Sequence, residues 1–309
     1  MHWDDLRIFL AVARDESLSA AGRRLRIDPA TVGRRIGRLE EQIGHALFAK
    51  SPQGYALTEA GQRLIAHAQR AEQAVLEAGE EITGQTGGLS GQIRIGAPDG
   101  VANFLLPQVC AAIQADNPEL ELQIVALPRL FNLSRREADM AVTVSAPSAG
   151  RLLVQRITDY HLHLAASARY LNRHGPITDL AELRHHRITG YIPDMIFDRE
   201  LDYLSELGVD HVALASNSVL VQFNWLRHGA GVGIVHDFAL PSAPDLRRIL
   251  TDRISLRRSF YLVRHADDAR LERMNRFAAL LSDGLRHEVA RLEAELDKMS
   301  QGADAEGTE

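Results

Sequence analysis

The chain has 309 residues, 45% of them hydrophobic and 25% charged, which is the composition of a soluble globular protein of two or three domains. No apolar run approaches the roughly 18 residues that a membrane helix needs, no signal segment opens the chain, and the single cysteine, Cys110, excludes an internal disulfide, so we expect a cytoplasmic protein. The formal net charge of the whole chain is -6, which by itself argues against nucleic-acid binding. The charge is unevenly distributed, however, because basic residues outnumber acidic ones within the first fifty positions.

Two helices are predicted at the start of the chain. The first, over about 3–15, has apolar residues at helical spacing, and we interpret Trp3 as a core or rim aromatic residue, with a dimer contact as the alternative. The second has Ser19 as its predicted cap. Its small residues Ala20 and Ala21 allow a close crossing with the next helix.

The third helix carries the first functional signal. Asp28 is a good N-cap and Pro29 suits the first helical position, so the helix begins there. One face is apolar, formed by Val32, Ile36, Leu39 and Ile43. The other combines cations with slim residues, as DNA contact requires: arginine bonds guanine edges and threonine contacts a thymine methyl group or a phosphate. An amphipathic helix with solvated arginines is the alternative.

A hairpin is predicted directly after this helix. Residues 47–50 and 54–58 form two short strands around a turn that contains proline and glycine. A hairpin at this place gives the layout of a winged helix, whose turn reaches the DNA backbone or minor groove. The candidate DNA-binding residues are Ser19, Pro29, Ala30, Thr31, Gly33, Arg34, Arg35, Arg38, Lys50, Ser51 and Gln53.

One long helix, capped by Thr58, is predicted from Glu59 to about Gln85. Apolar residues alternate along it at steps of four and three, which is a heptad pattern. The predicted seam consists of Leu64, Ala68, Ala71, Val75, Ala78 and Ile82. We interpret it as a self-pairing dimer helix, with packing on its own domain as the alternative. The glycine-rich stretch 84–91 then predicts a hinge.

These N-terminal features together resemble the LysR-type transcriptional regulators. The resemblance rests on Leu18-Ser19-Ala20-Ala21, Leu25, Pro29, Val32, Arg34, Ile36, Leu39-Glu40, Gly44, Leu47-Phe48 and Leu57-Thr58-Glu59-Ala60-Gly61. It implies a bacterial winged helix-turn-helix protein with a dimerisation helix and an effector domain built like a periplasmic binding protein. Gly33 and Gly37 depart from the family, which more often has a serine and a bulkier residue there, so the operator sequence does not carry over.

From Gln92 onward strands alternate with helices, which indicates an open α/β sheet. The predicted strands are 92–96, 121–127, 139–144, 151–157, 161–165, 211–215, 231–235 and 259–264; the predicted helices are 101–115, 181–183, 219–227 and 269–299.

The resemblance implies two subdomains in this region. The expected division is 1–58 winged helix-turn-helix, 59–85 dimerisation helix, 86–91 hinge, 92–300 effector domain (subdomain I about 92–158 and 263–300, subdomain II about 159–262) and 301–309 disordered tail.

A ligand of such a sheet binds beyond the carboxyl ends of the strands, at helix N-termini. The candidate effector-binding residues are Asp99, Gly100, Val101, Ser145, Phe197, Ser216, Asn217, Ser218 and His236. In the alternative interpretation, residues 216–218 only cap the helix that follows them. Asp99 repels an anion and is expected to cap its own helix, whereas family members that sense carboxylates often have serine or threonine there. We therefore expect an uncharged or cationic effector, or a vestigial pocket.

Metal and cofactor sites are not predicted. His161 and His163 share a strand face and His185 adjoins His186, but no carboxylate or cysteine stands at a useful spacing beside them. We interpret the first two histidines as part of a solvated strand face.

The sequence therefore predicts a DNA-binding transcriptional regulator, a dimer or dimer of dimers on an interrupted palindrome whose spacing an effector changes. The alternatives are an architectural DNA-binding protein and a DNA-tethered enzyme. No activated nucleophile, phosphate loop or cofactor lysine supports an enzyme. Target genes, the direction of regulation, the effector and the choice between dimer and tetramer stay open.

Overall fold

A computed structural model of the chain describes residues 1–51, 54–83, 88–126, 138–147, 150–204, 208–209 and 211–306. They form two compact units, Met1–Gly87 and Gly88–Glu309, each with a hydrophobic core. None of the helices in these ranges has the length and apolarity needed to cross a membrane.

The first unit is a winged helix-turn-helix. Its elements are α1 (Trp3–Asp15), α2 (Leu18–Leu25), α3 (Pro29–Ile43), the antiparallel hairpin of β1 (Phe48–Ser51) and β2 (Gly54–Leu57), and α4 (Glu59–Thr83). The core lies between the helices, where Phe9, Val32 and Leu39 are fully buried. Trp3 packs against this core, as the sequence predicts.

The helix caps explain where α2 and α3 begin. Asp28 accepts hydrogen bonds from the amides of Ala30 and Thr31 at 3.0 and 3.2 Å, which confirms the predicted start of α3. The predicted cap of α2 is wrong. Ser17, not Ser19, accepts the hydrogen bond from the amide of Ala20, because α2 begins at Leu18, two residues earlier than a cap at Ser19 implies.

The first half of the predicted dimer seam on α4 packs against the core of its own unit. Ala68 is fully buried in the core of the unit, and Leu64 and Ala71 pack against that core. Ala68 is therefore unavailable to a self-pairing seam, because a helix that follows the wing must also close the domain; self-pairing of α4 stays a prediction. Val75 and Ala78 are exposed. The side chain of Ile82 lies outside the described residues.

The second unit contains one mixed sheet. Its parallel strands at one end are β3 (Gly91–Ala97), β4 (Leu120–Ala126) and β5 (Met140–Thr143), and those at the other are β7 (Ile188–Gly190), β8 (Leu214–Ala215) and β9 (Val232–His236). The long antiparallel strands β6 (Leu152–Ser167) and β11 (Leu256–His265) join them, and β10 (Leu246–Arg248) pairs with β6. The order is β4-β3-β5-β11-β6-β9-β7-β8.

Helices cover this sheet. They are α5 (Asp99–Phe104), α6 (Leu106–Asp116), α7 (Ala168–His174), α8 (Val219–Arg227) and α9 (Glu272–Glu306), with 3-10 turns at Leu180–His185, Pro193–Met195, Arg199–Leu201, Asp237–Ser242 and Ala266–Arg270. The structure has a 3-10 turn where 181–183 was expected to be α-helical. It also continues α9 to Glu306, although 301–309 was expected to be disordered.

In two places the second unit has a different number of elements from the number predicted. The strands expected at 151–157 and 161–165 are one strand, because β11 pairs with β6 from Leu152 to Leu162, interrupted only by a register shift at Ile157. The helix expected at 101–115 is two helices. Pro107 follows the break, and proline lacks the amide that would continue the ladder of α5 and clashes with the preceding turn.

Candidate nucleic-acid interface and ligand cleft

The outward face of α3 carries cations and small residues. Arg34 and Arg38 are exposed, as are Pro29 and Ala30 at the start of the helix. The guanidinium of Arg34 donates to the hydroxyl of Thr31 at 2.9 Å. Within the described part of the chain Arg38 has no ion pair or hydrogen bond. This face therefore presents positive charge that its own unit does not neutralise.

Arg35 differs from its two neighbours because it is tied into the unit. It lies within 3.0 Å of the carboxylate of Asp5 and 3.2 Å of that of Asp4, and Asp5 is only 1% exposed. Gly33 also serves the fold: a Cβ atom there would lie 3.3 Å from a methyl group of Leu18 on α2. Arg35 therefore fixes the position of α3 relative to α1, and Gly33 allows α3 to pack closely against α2.

The wing is fastened to α3 and α4. The carboxylate of Glu40 accepts hydrogen bonds from the amides of Leu47 and Phe48 at 2.7 and 3.2 Å. A Cβ on Gly61 would lie 2.2 Å from the carbonyl oxygen of Leu47, so only glycine fits where α4 passes the hairpin. Lys50 is exposed and lies 5.8 Å from the ring of Tyr55. The side chain of Ser51 and all of Gln53 lie outside the described residues. Ser19 is exposed on α2.

In the second unit, Asp99 reaches the N-terminus of α8. Its carboxylate accepts hydrogen bonds from the hydroxyl of Ser218 at 2.8 Å and from the amide of Leu220 at 3.0 Å. The sequence suggested that Asp99 caps its own helix. This prediction is wrong, because no side chain caps the N-terminus of α5. A carboxylate of this chain therefore occupies the amide site at which an anionic ligand would bind.

A second carboxylate of the chain, that of Asp198, occupies the other predicted hydrogen-bond donor, the hydroxyl of Ser145. Ser145, which follows β5, donates its hydroxyl hydrogen to Asp198, and Asp198 accepts from the amide of Glu200 at 3.0 Å. The half-buried residues Ser216 and Asn217 precede the cap Ser218, whose amide donates to the hydroxyl of Ser216 at 3.1 Å. The cleft thus contains two contacts between the two ends of the sheet, and both use hydroxyl donors and carboxylate acceptors.

The floor of the cleft is aromatic. His236 is 5% exposed and stacks on Tyr160, with ring centroids 5.5 Å apart, while a Cβ on Gly100 would lie 3.3 Å from its ring. Burial lowers the pKa of His236 to about 4, so its imidazole is neutral at pH 7. Val101 is 1% exposed inside the core, and Phe197 packs against that core.

The predicted histidine surface is wrong for His163. His163 is 8% exposed and its Nδ1 lies 2.8 Å from the carboxylate of Asp237, which also meets Arg248 at 3.1 Å. His161 bonds Glu293 of α9 at 3.0 Å. The carboxylates come from distant parts of the chain, so local spacing gave no sign of them. Within the described ranges no group of three histidine, cysteine or carboxylate residues is placed to hold a metal.

Sequence reasoning also missed several residues of the cleft and its surroundings. Asp198 had a local signal, since it caps the short turn that follows it. Tyr191, Tyr203 and Gln222 gather around a cavity beside the cleft, and no spacing in the sequence relates them. Cys110 is buried in the core of the second unit, and burial raises the pKa of its thiol to about 11.

Two family profiles match the chain. Residues 3–62 match the bacterial regulatory helix-turn-helix protein of the lysR family, and residues 86–286 match the LysR substrate binding domain. The second match alone covers more than half of the 309 residues.

Individual proteins agree with these profiles. The chain is 28% identical over 183 residues to the transcriptional regulator DmlR of Escherichia coli (58% of this chain, 60% of DmlR). It is 34% identical over 150 residues to DgdR of Burkholderia cepacia (48% of this chain, 50% of DgdR). The chain thus spans 50 to 60% of the length of these two relatives. The solved structure of CrgA, a LysR-type regulator from Neisseria meningitidis, has the same fold, with a TM-score of 0.58 at 23% identity over 92% of this chain and 99% of that chain.

Proposed function

Because this chain belongs to the LysR family of transcriptional regulators, we propose that it binds a specific DNA sequence and that a small molecule in its second unit modulates this binding. The protein acts in the cytoplasm as a dimer or a dimer of dimers on an interrupted palindrome. Ligand binding that favours one arrangement of the second unit then changes the spacing of the paired winged helices.

The observation that carries the DNA-binding proposal is the exposed cationic face of α3. Arg34 and Arg38 point away from the core and have no carboxylate partner among the described residues, in contrast to Arg35. A guanidinium free of such a partner is available for a bidentate contact with guanine or a contact with phosphate. We assign base reading to Arg34, phosphate contact to Arg38 and Lys50, and placement of α3 to Arg35.

Replacement of Arg34 tests this assignment. Arg34→Ala is expected to weaken specific binding by about 1 to 3 kcal/mol and to relax base preference at one position of each half-site. The matched control is Arg63→Ala, which also removes one exposed arginine but lies on α4 beside Glu59, away from the α3 face. Fluorescence anisotropy with the operator and with scrambled DNA measures both. Equal losses in the two variants would remove Arg34 from base reading.

The effector proposal rests on the two occupied donor sites. Asp99 already fills the amide site of α8, and Asp198 already takes the hydroxyl of Ser145. An anionic ligand would have to displace a carboxylate of the chain and approach the negative charge that remains. The effector is therefore an uncharged or cationic molecule.

A further inference from the structure

A cationic surface lies on the second unit, at the end of the sheet away from the cleft. It forms where three segments meet: helix α7, residues 184–187 before β7, and residues 227–230 between α8 and β9. We call it the arginine surface and define it by five exposed residues: Arg169, Arg173, Arg184, Arg187 and Arg227. The parallel strands β7 and β9 begin at this surface, whereas the cleft lies beyond their carboxyl ends. The arginine surface is therefore separate from the candidate effector site.

Contacts between the three segments make the surface continuous. A Cβ atom on Gly229 would lie 3.6 Å from the Cδ atom of Arg169, so the side chain of Arg169 lies over the turn that follows α8. The guanidinium of Arg187 donates to a carbonyl oxygen of the same turn at 3.3 Å. The amide of Arg187 donates to the hydroxyl of Tyr170 at 3.3 Å, which joins α7 to the segment before β7. Arg173 follows Arg169 by four residues and therefore shares its face of α7.

None of the five arginines has a carboxylate partner in the ranges that the structure describes. The carboxylate of Glu182, close by in the chain, instead accepts a hydrogen bond from the amide of Thr178 at 2.8 Å. Exposed arginines elsewhere in the second unit do pair with carboxylates. Examples are the pairs Arg253–Asp252, Arg257–Asp159 and Arg286–Asp283. The arginine surface thus gathers guanidinium groups whose charge no described ion pair neutralises.

The chemistry of the surface favours nucleic acid over protein as its partner. A stable protein interface has an apolar centre, whereas protein–DNA interfaces are polar and positively charged. The large apolar side chains under the arginine surface are buried, since Tyr170, Leu183 and Leu226 are 4%, 2% and 1% exposed. Guanidinium groups form paired hydrogen bonds with phosphate oxygens. A phosphate backbone therefore matches both the charge and the polar character of the surface.

We propose that the arginine surface binds the phosphate backbone of duplex DNA, outside the half-sites that the winged helices read. The inference rests on the proposed function, which brings duplex DNA to the protein, and it adds a DNA contact from the second unit. Duplex DNA carries one negative charge per about 1.7 Å of its axis, so a cluster of arginines meets several phosphates. Because phosphates are the same in every sequence, this contact increases affinity without selecting bases.

Removal of charge from the full chain tests the proposal. The test variant combines three substitutions in the arginine surface: Arg169→Gln, Arg173→Gln and Arg187→Gln. The control variant removes the same charge from exposed positions outside the three segments: Arg253→Gln, Arg257→Gln and Arg286→Gln. Circular dichroism and thermal unfolding check that both variants fold.

Fluorescence anisotropy measures the affinity of each protein for an operator duplex with long flanks, at salt concentrations from about 50 to 200 mM. Each phosphate contact contributes about 0.9 to the slope of log affinity against log salt, so we expect the test variant to lower this slope by about 2 to 3. The ratio of the wild-type affinity to that of the test variant then falls about 10- to 40-fold across this range.

Two comparisons complete the measurement. We expect the test variant to lose the same affinity for scrambled DNA of equal length, so that its preference for the operator is unchanged. On an operator duplex without flanks, we expect equal slopes for the test and control variants. Equal slopes for these two variants on the long duplex overturn the proposal.

Hydroxyl-radical footprinting places the contact on the DNA. The wild type is expected to protect backbone positions outside the half-sites, and the test variant to lose this outer protection and keep the protection within the half-sites. Unchanged outer protection overturns the proposal. An acidic protein is the other partner that a cationic surface could bind. Wild-type DNA binding by the test variant, together with lost regulation of a reporter promoter in cells, contradicts the DNA contact and favours an acidic protein.

The same data separate this inference from the proposed function. If the wild type binds its operator specifically and the test variant has the slope of the control, the inference about the arginine surface fails alone. If every sequence is bound equally and the test variant still lowers the slope, sequence-specific regulation fails and the arginine surface stands as a DNA contact.

Discussion

At the scale of single residues, two carboxylates of the second unit already accept hydrogen bonds from its ligand-binding donors. Asp99 and Asp198 each accept from one hydroxyl and one backbone amide, and Asp99 also accepts from the side-chain amide of Asn103, so they hold the places that an anionic ligand would take. The sequence indicated that Asp99 opposes an anion. It did not indicate which helix Asp99 caps, because Ser218 and Leu220 come close only in the folded sheet.

His236 gives the pH dependence expected of this site. Its pKa is about 4 in the folded protein and about 6.5 in an unfolded chain, so the unfolded chain binds more protons between these values. The contribution of the neutral His236 side chain to the free energy of unfolding is fully present above about pH 6.5. It falls by about 3 kcal/mol in total as the pH decreases toward 4. We therefore expect the second unit to lose stability with a steeper slope than a His236→Gln variant over this range.

Urea denaturation from pH 7.5 to 4.5 measures this difference. A Trp3→Phe background leaves Trp225 on α8 as the single tryptophan, so fluorescence reports the second unit. Parallel pH profiles for the His236 protein and the Gln variant would show that the imidazole titrates alike in the folded and unfolded states.

At the scale of elements, local signals predicted the first unit well. The Asp28-Pro29 cap, the apolar periodicity of α3 and the turn of the hairpin act between near neighbours in the chain. The second unit was less predictable. The continuity of β6 depends on β11, about a hundred positions later, and the acceptors of His161 and His163 lie on α9 and in the 3-10 turn after β9. Such long-range pairs leave no periodic pattern.

The junction of α4 and the wing makes a prediction about glycine. Gly61→Ala is expected to destabilise the first unit by at least about 2 kcal/mol, since its Cβ would overlap the carbonyl oxygen of Leu47 at 2.2 Å. Gly37→Ala is the matched control. It lies in α3 with nothing within 4 Å of the added Cβ, and we expect it to stabilise the helix by about 1 kcal/mol.

Thermal unfolding of both variants checks this pair. A Gly61→Ala protein as stable as the Gly37→Ala protein would mean that α4 passes the hairpin at a greater distance than the structure shows.

At the scale of the whole molecule, the proposed regulator is an assembly of chains. Leu64, Ala68 and Ala71 pack within the first unit, so of the predicted seam positions whose side chains the structure describes, exposed Val75 (49%) and Ala78 are left for a second copy. They lie three residues apart, on one face of the helix.

A charge on this face is expected to weaken dimerisation. Val75→Glu places a carboxylate at the proposed contact, whereas Gln69→Glu adds the same charge at an exposed position on the opposite face of α4. Sedimentation velocity over a concentration series should show dissociation at higher protein concentration for Val75→Glu than for Gln69→Glu. Identical profiles would move the dimer contact away from this part of α4.

Footprinting tests the central claim most directly, with the purified full chain on the DNA immediately upstream of its own coding sequence, across a salt series. We predict a protected site with two-fold symmetry, an interrupted palindrome, and an affinity that falls steeply with salt as phosphate contacts release counterions. Absence of protection, or equal affinity for every sequence, would contradict a sequence-specific regulator.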